Sequence, residues 1–336
     1  MTDEKNNSKV VNPHDKVFRE VYGNKENARS LLADKLPDKV LKLVDLNSLE
    51  ISKDSFIEKE LADYYSDMLY KVKLTDGSQG FIYVLFEHKS YYDRFVHLQL
   101  LEYMVKIWRL HIKQHEEKPV CLPIVIPLLV CHARQEWPEN TERLSSLLSG
   151  PVEELAGYIP DFAFELYDLH RYSDDQIKGT IMSRVILLLF KHIRDPDLRQ
   201  KLPGILALMR KLMEKETGLQ WIEVVVRYLA SALEDDELSV KQIKEIAEEA
   251  ISKETGEYIM TLAEKLKNEG KLEGKLEGKL EGYRETIELS MAVKFPGDIG
   301  TVMARVNEID DLDTLVEITK AIHTAKDISE ILSLLK

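Results

Sequence analysis

The run Phe81–Lys89, FIYVLFEHK, limits what this chain can fold into more than any other stretch. Its first six residues are apolar or aromatic without a break, which fits a short central strand buried on both faces of a sheet. It then ends on Glu87, His88 and Lys89, and charge at the end of a buried strand is costly unless it is paired or used. Strand alternation puts Glu87 and Lys89 on one face and His88 on the other. The preceding TDGSQG, Thr75–Gly80, is rich in turn formers and predicts an antiparallel connection. Asp67 to Leu74 supplies the partner strand. Met68, Tyr70, Val72 and Leu74 share one face, and Asp67, Leu69, Lys71 and Lys73 share the other.

Around this hairpin the pattern predicts a mixed α/β core. Residues 1–12 read as a polar lead-in. His14 to Leu36 reads as two helices broken at Gly23, with Asp15 capping the first and Asn24 the second. Residues 41–57 hold short β-like pieces. Tyr92 to Lys113 reads as an amphipathic helix with Leu98, Leu101, Val105, Trp108 and Ile112 as its core stripe. Lys106, Arg109 and Lys113 lie close to one of its faces. Val120–Val130 and Phe162–Leu169 read as further strands. Beyond about residue 175 the pattern is helical: Ile181–Ile193, Pro203–Met213, Trp221–Leu233 and Val240–Ile251, punctuated by Pro196 and Pro203. From Gly270 to Gly282 comes GKLEGKLEGKLEG, which in a helix stacks like charges at i,i+4 and carries four glycines, each costing about 1 kcal/mol relative to Ala. It reads as a weak, frayed helix. The organisation expected is a core domain over 13–215, a helical extension over 216–268, the repeat as a linker over 269–282, and a small helical tail over 283–336.

Charge separates the two halves. The net charge of −13 argues against a protein that coats nucleic acid. Residues 1–135 balance, 20 basic against 20 acidic, so the whole excess falls on the remainder. The front half can therefore offer a local basic surface to phosphate, while the acidic back half suits solubility or contacts between proteins, including self-association through the helical C-terminal region. The polar N-terminus has no apolar core of the signal-peptide kind. No apolar run approaches the roughly 20 residues of a membrane span. With two cysteines, Cys121 and Cys131, there is no disulfide framework, and a reducing, cytoplasmic setting is expected.

Phosphodiester hydrolysis needs a divalent ion held by hard oxygen ligands to activate water and offset charge on phosphate. Asp67 and Glu87, on strands that neighbour each other, are the carboxylates for that task. Lys89, two residues after Glu87 on the same face, suits charge stabilisation or orientation of the water. Chemistry alone leaves a structural ion pair as the alternative. His14-Asp15 lacks the further ligands of an HD phosphohydrolase. His111 and His115 lack the Glu of a His-Glu-x-x-His zinc helix and read as solvated.

Several pieces together, HDKVF (His14–Phe18), YSDMLYKV (Tyr65–Val72), FEHKS (Phe86–Ser90), LQLLEYMVKIW (Leu98–Trp108) and FELYDL (Phe164–Leu169), resemble the recombination-promoting nuclease (Rpn) family, also called YhgA-like, of the PD-(D/E)xK nuclease superfamily. The resemblance covers about two-thirds of the chain. It implies a restriction-endonuclease-like α/β core, with a mixed central sheet flanked by helices, followed by an all-helical C-terminal region. It implies a DNA endonuclease that assists recombination, uses Mg²⁺ (Mn²⁺ or Ca²⁺ as substitutes) and leaves 5′-phosphate and 3′-hydroxyl ends. The family's metal acid maps onto Asp67, its E-x-K onto Glu87 and Lys89, and its polar helix residue onto Gln99. By the same analogy the His88 backbone carbonyl and a helical acid, Glu20, complete the metal ligands. Lys106, Arg109 and Lys113, from their spacing on one helix face, are candidates to touch DNA phosphates, with a plain solvated face as the equal alternative. Many relatives carry Gln where this chain has Lys89. The rival reading is an inactive nuclease fold kept as a DNA- or protein-binding module.

Overall fold

In a computed structural model that describes residues 12–52, 68–87, 92–115, 121–132, 137–138, 141–214, 217–233 and 238–335, the apolar run forms β3 (Gln79–Glu87), the middle strand of a five-stranded sheet. β2 (Met68–Leu74) pairs antiparallel with it, and β1 (Val44–Ile51) pairs antiparallel with β2, in a meander. The β2–β3 turn holds Gly77 at φ 85°, a conformation that favours glycine. β4 (Ile124–Cys131) and β5 (Glu165–Asp168) continue the sheet in parallel, in the order β1-β2-β3-β4-β5. A parallel β3–β4 pair needs a crossover. α4 (Val96–Gln114) lies in that connection, after α1 (Pro13–Tyr22), α2 (Lys25–Lys35) and the short α3 (Asp38–Leu41). The mixed sheet with flanking helices and a helical C-terminal region is the α/β architecture that the sequence predicts.

The two faces of the sheet are covered differently. On one, Leu69, Phe81, Tyr83, Leu85, Val125, Leu129 and Cys131 form a core with Val96, Leu100, Tyr103, Met104, Ile107 and Leu110 of α4. The opposite face meets α1, where the Tyr70 hydroxyl donates to the Tyr22 carbonyl at 2.9 Å. The Tyr22 hydroxyl in turn bonds Ser183 at 2.9 Å, in α5 (Ile181–His192). α6 (Leu198–Ala207), α7 (Gly218–Ala232), α8 (Val240–Ala250) and α9 (Lys253–Lys294) follow.

Four expectations are corrected here. The buried stripe of α4 is Val96–Leu100–Tyr103–Met104–Ile107–Leu110, while Leu98 and Ile112 are about half exposed. Every second apolar face was available on this helix, and only the sheet chooses between them. Asn12 caps α1, accepting from the His14 amide at 3.0 Å, whereas Asp15 is buried within the first turn. Asn24 does cap α2, through the Glu26 and Asn27 amides. Pro203 falls inside α6 and does not open it. The GKLE repeat is unbroken helix within α9. An anchored helix adds one hydrogen bond per further residue without a new nucleation cost. The anchor is close, because Leu280, Ile287 and Met291 are buried in a core of their own.

The chain divides into two units, Met1–Met260 and Thr261–Lys336. The second holds most of α9 with α10 (Ile299–Val306), α11 (Leu312–Thr324) and α12 (Ile328–Leu334) around Val302, Leu315, Ile318 and Ile331. Among the described residues no helix is long and apolar enough to cross a membrane. A Cβ added at Gly270, Gly274 or Gly278 meets nothing within 4 Å. Gly274→Ala should therefore stabilise the helix by about 0.4–1 kcal/mol through the unfolded chain, read as a higher Tm of the second transition or of the whole protein.

Candidate active site

The ends of three elements are tied together by one apolar cluster. Leu69 follows Asp67 by two residues, Leu85 precedes Glu87 by two, and Val96 and Leu100 bracket Gln99; all four belong to the same core. The start of β2, the end of β3 and the first turn of α4 thus meet at one end of the sheet. Asp67, His88 and Lys89 lie outside the described residues. The backbone of Glu87 closes β3 in register with Cys131, which pairs with Asp168 on β5. Gln99 is half-buried in the first turn of α4.

Two side chains brace this end. His97, fully buried beside Gln99, places Nε2 at 2.6 Å from the Thr141 carbonyl. A carbonyl only accepts, so Nε2 carries the proton. Burial pushes the His97 pKa down against the pull of its hydrogen bonds, which keeps the ring neutral and the first turn of α4 fastened to the loop at Thr141. Asp168 is also fully buried. Its carboxylate accepts from the Trp137 and His170 amides at 3.2 and 3.1 Å and lies 3.6 Å from Arg171 Nε. Held by two backbone amides and lying beside Arg171, Asp168 is a structural carboxylate, a role that the sequence did not give it; the Asp one residue before a tight helical turn was the available signal. Trp137 stacks edge-on against Tyr92 at 4.6 Å, closing the same end.

A family described as "Putative transposase, YhgA-like" matches residues 12–220. The chain belongs to this family. Among curated relatives, the inactive recombination-promoting nuclease-like protein RpnE of Escherichia coli K12 is 32% identical, over 78% of this chain and 84% of its own. The recombination-promoting nuclease RpnD of Escherichia coli O157:H7 is 30% identical over 76% of this chain and 95% of its own. RpnA of Escherichia coli K12 is 28% identical over 85% and 94%. No solved structure matches.

The remaining YhgA-like candidates fall on different parts of the surface. Glu20 is on α1, across the sheet from α4, and its carboxylate lies 3.3 Å from Arg227 of α7, which also holds Glu223 at 2.8 Å. Lys106 and Lys113 follow Gln99 at i+7 and i+14, one line along α4, at about 10 and 21 Å of axial rise. Arg109 is exposed nearby, and Lys106 sits over the Tyr103 ring at 5.2 Å. At the far end of this line the His111 and His115 rings are 4.4 Å apart. Burial, then His115, hold the His111 pKa down, with Lys71 of β2 acting in the same direction. His14 bonds the Tyr228 hydroxyl at 2.8 Å and tilts against His132 at 5.2 Å. Among the described residues no three His, Cys, Asp or Glu could hold a metal ion together.

His97 gives a pH test. Its folded pKa is depressed, so its contribution is present above the unfolded value of about 6.5 and is lost as pH falls through the folded pKa. Urea unfolding at successively lower pH should show that loss in the wild type, and His97→Gln should remove that component of the slope.

Proposed function

We propose that this protein is a metal-dependent DNA endonuclease that hydrolyses phosphodiester bonds and thereby promotes recombination. The observation that carries the reading is the shared apolar cluster of Leu69, Leu85, Val96 and Leu100, which draws the neighbours of Asp67, Glu87 and Gln99 to one end of the sheet. Relatives named as recombination-promoting nucleases support the nuclease class. The donor chemistry suits Mg²⁺, or Mn²⁺ or Ca²⁺ in its place, since Asp67, Glu87 and the His88 carbonyl offer hard oxygens. When bound, the ion supplies a more acidic water and charge compensation at phosphate.

The chain's own residues do the rest. Asp67 and Glu87 would hold the ion and accept hydrogen bonds from the attacking water. Lys89 donates to the non-bridging phosphate oxygen on which charge grows, an interaction stronger in the transition state than in the ground state. Gln99, on the braced first turn of α4, orients the water or the scissile phosphate through its amide. Lys106, Arg109 and Lys113 carry phosphates away from the site along α4, neutralising backbone charge in a salt-dependent way. Glu20, already paired with Arg227, is left out of the ligand set. A cytoplasmic location belongs to this reading.

A second reading has its own support: the relative RpnE is named inactive, and a nuclease fold without catalysis would act as a DNA- or protein-binding module. Plasmid nicking decides between the two. The wild type should nick supercoiled DNA in Mg²⁺, while Asp67→Ala and Glu87→Ala should lose at least about a hundredfold in rate, the scale of losing a positioned charge in the transition state. Both variants should still bind DNA in a gel-shift assay. Nicking that survives in Asp67→Ala would sink the assignment, and binding without nicking in any metal would install the binding module.

A further inference from the structure

Leu98 lies outside the core that α4 makes with the sheet, and it has an apolar neighbour. α4 begins at Phe95, its N-cap, where the side chain is 56% exposed, with Leu98 at 50%. An N-cap favours Ser, Thr, Asp or Asn, and the Phe95 side chain makes no capping hydrogen bond. Asp93 supplies the local one instead, accepting from the Phe95 amide at 2.9 Å. Val96, Leu100 and Tyr103 fix how the helix packs, and neither Phe95 nor Leu98 belongs to their cluster. Two large apolar side chains, neighbours at i,i+3, are thus exposed within one turn of Gln99.

The face they share indicates what they meet. At 100° per residue, Phe95, Leu98, Gln99, Lys106, Arg109 and Lys113 fall within an arc of about 100°. α4 carries one acid, Glu102, on the same arc, against those three cations. Arg94, exposed just before the helix, holds its guanidinium 5.8 Å from the Phe95 ring centroid. An exposed ring beside an arginine, followed by a row of cations, suits a base lying on the ring with phosphates on the cations. Within a duplex each base is stacked between its neighbours, so a base must leave the stack to lie on Phe95.

We infer that Phe95, extended by Leu98 and flanked by Arg94, is a stacking platform for an unpaired base, so that the substrate class of the proposed site is DNA with unpaired bases beside the scissile phosphate. The inference rests on the nuclease reading for cleavage and adds to it which DNA is cut. The preference has a direct cause: a paired base must be unstacked before it can reach the ring, and a base that is already unpaired is spared that cost.

Fluorescence anisotropy in EDTA reads binding apart from cleavage, with the full chain. The probes are a labelled, fully paired duplex and the same duplex with a short central bubble. The wild type should bind the bubble at least about tenfold tighter. Phe95→Ala with Leu98→Ala should weaken bubble binding at least about tenfold, the scale of one base–aromatic stack, and leave the paired duplex within about twofold. Phe95→Tyr keeps a ring and should keep the preference. Both side chains are exposed, so circular dichroism should be unchanged. Equal affinity for the two probes, a double variant that weakens both alike, or no binding to either overturns the platform. Nicking in Mg²⁺ is scored separately on both probes. Cleavage without a bubble preference strikes the platform alone. Bubble-selective binding with no cleavage in any metal supports the platform and strikes the nuclease reading alone.

Discussion

The packing of α4 against the sheet is the constraint on which the rest depends. A parallel β3–β4 pair cannot be closed by a turn, so a long crossover must lie across the face of the sheet. Once Leu100, Tyr103 and Ile107 pack onto Tyr83, Leu85 and Leu129, the start of that crossover is held over the end of β3. His97 fastens the same turn from the side through Thr141, and buried Asp168 ties β5 to Trp137 and His170 behind it. Gln99 and the backbone of Glu87 therefore stand on well-packed elements, as the proposed site needs if its geometry is to hold within fractions of an ångström.

The other face of the sheet serves stability. Tyr70, Tyr22 and Ser183 form a chain of buried hydroxyl contacts that joins β2 to α1 and α5, and burial raises the Tyr22 pKa so that the phenol stays a neutral partner. His14 and Asp15 belong to this layer. His14 is used against Tyr228, which explains the His-Asp pair without phosphohydrolase chemistry. Glu20 is likewise absorbed by Arg227, so the acid on α1 acts as a helix–helix tie. Two layers share one sheet: α1, α5 and α7 cover one face, and α4 covers the other and carries the candidate residue Gln99 at its start.

Much of this was legible in the residues. The hairpin, the buried central strand, the crossover helix, the break at Gly23 and the helical second half all follow from period and turn chemistry. α4 shows where legibility stops. Leu98, Leu101, Val105, Trp108 and Ile112 make an apolar stripe as good as Val96, Leu100, Tyr103, Ile107 and Leu110, and periodicity cannot rank two stripes on one helix. The GKLE repeat failed for a different reason. Its local energetics argue against helix, yet burial of Leu280, Ile287 and Met291 immediately after it extends order back through the repeat.

The sequence by itself determined the kinds of element and their order, and it marked out the candidates for chemistry: Asp67, Glu87 and Lys89 stand out by charge at the ends of apolar or alternating strands, a local pattern that needs no partner to be seen. Tertiary structure alone decided which face of α4 is buried, and that Asp168 and Glu20 are occupied by amides and an arginine. Each of those is a choice between locally equivalent options, and only contact with a residue distant in the chain makes one of them lower in free energy.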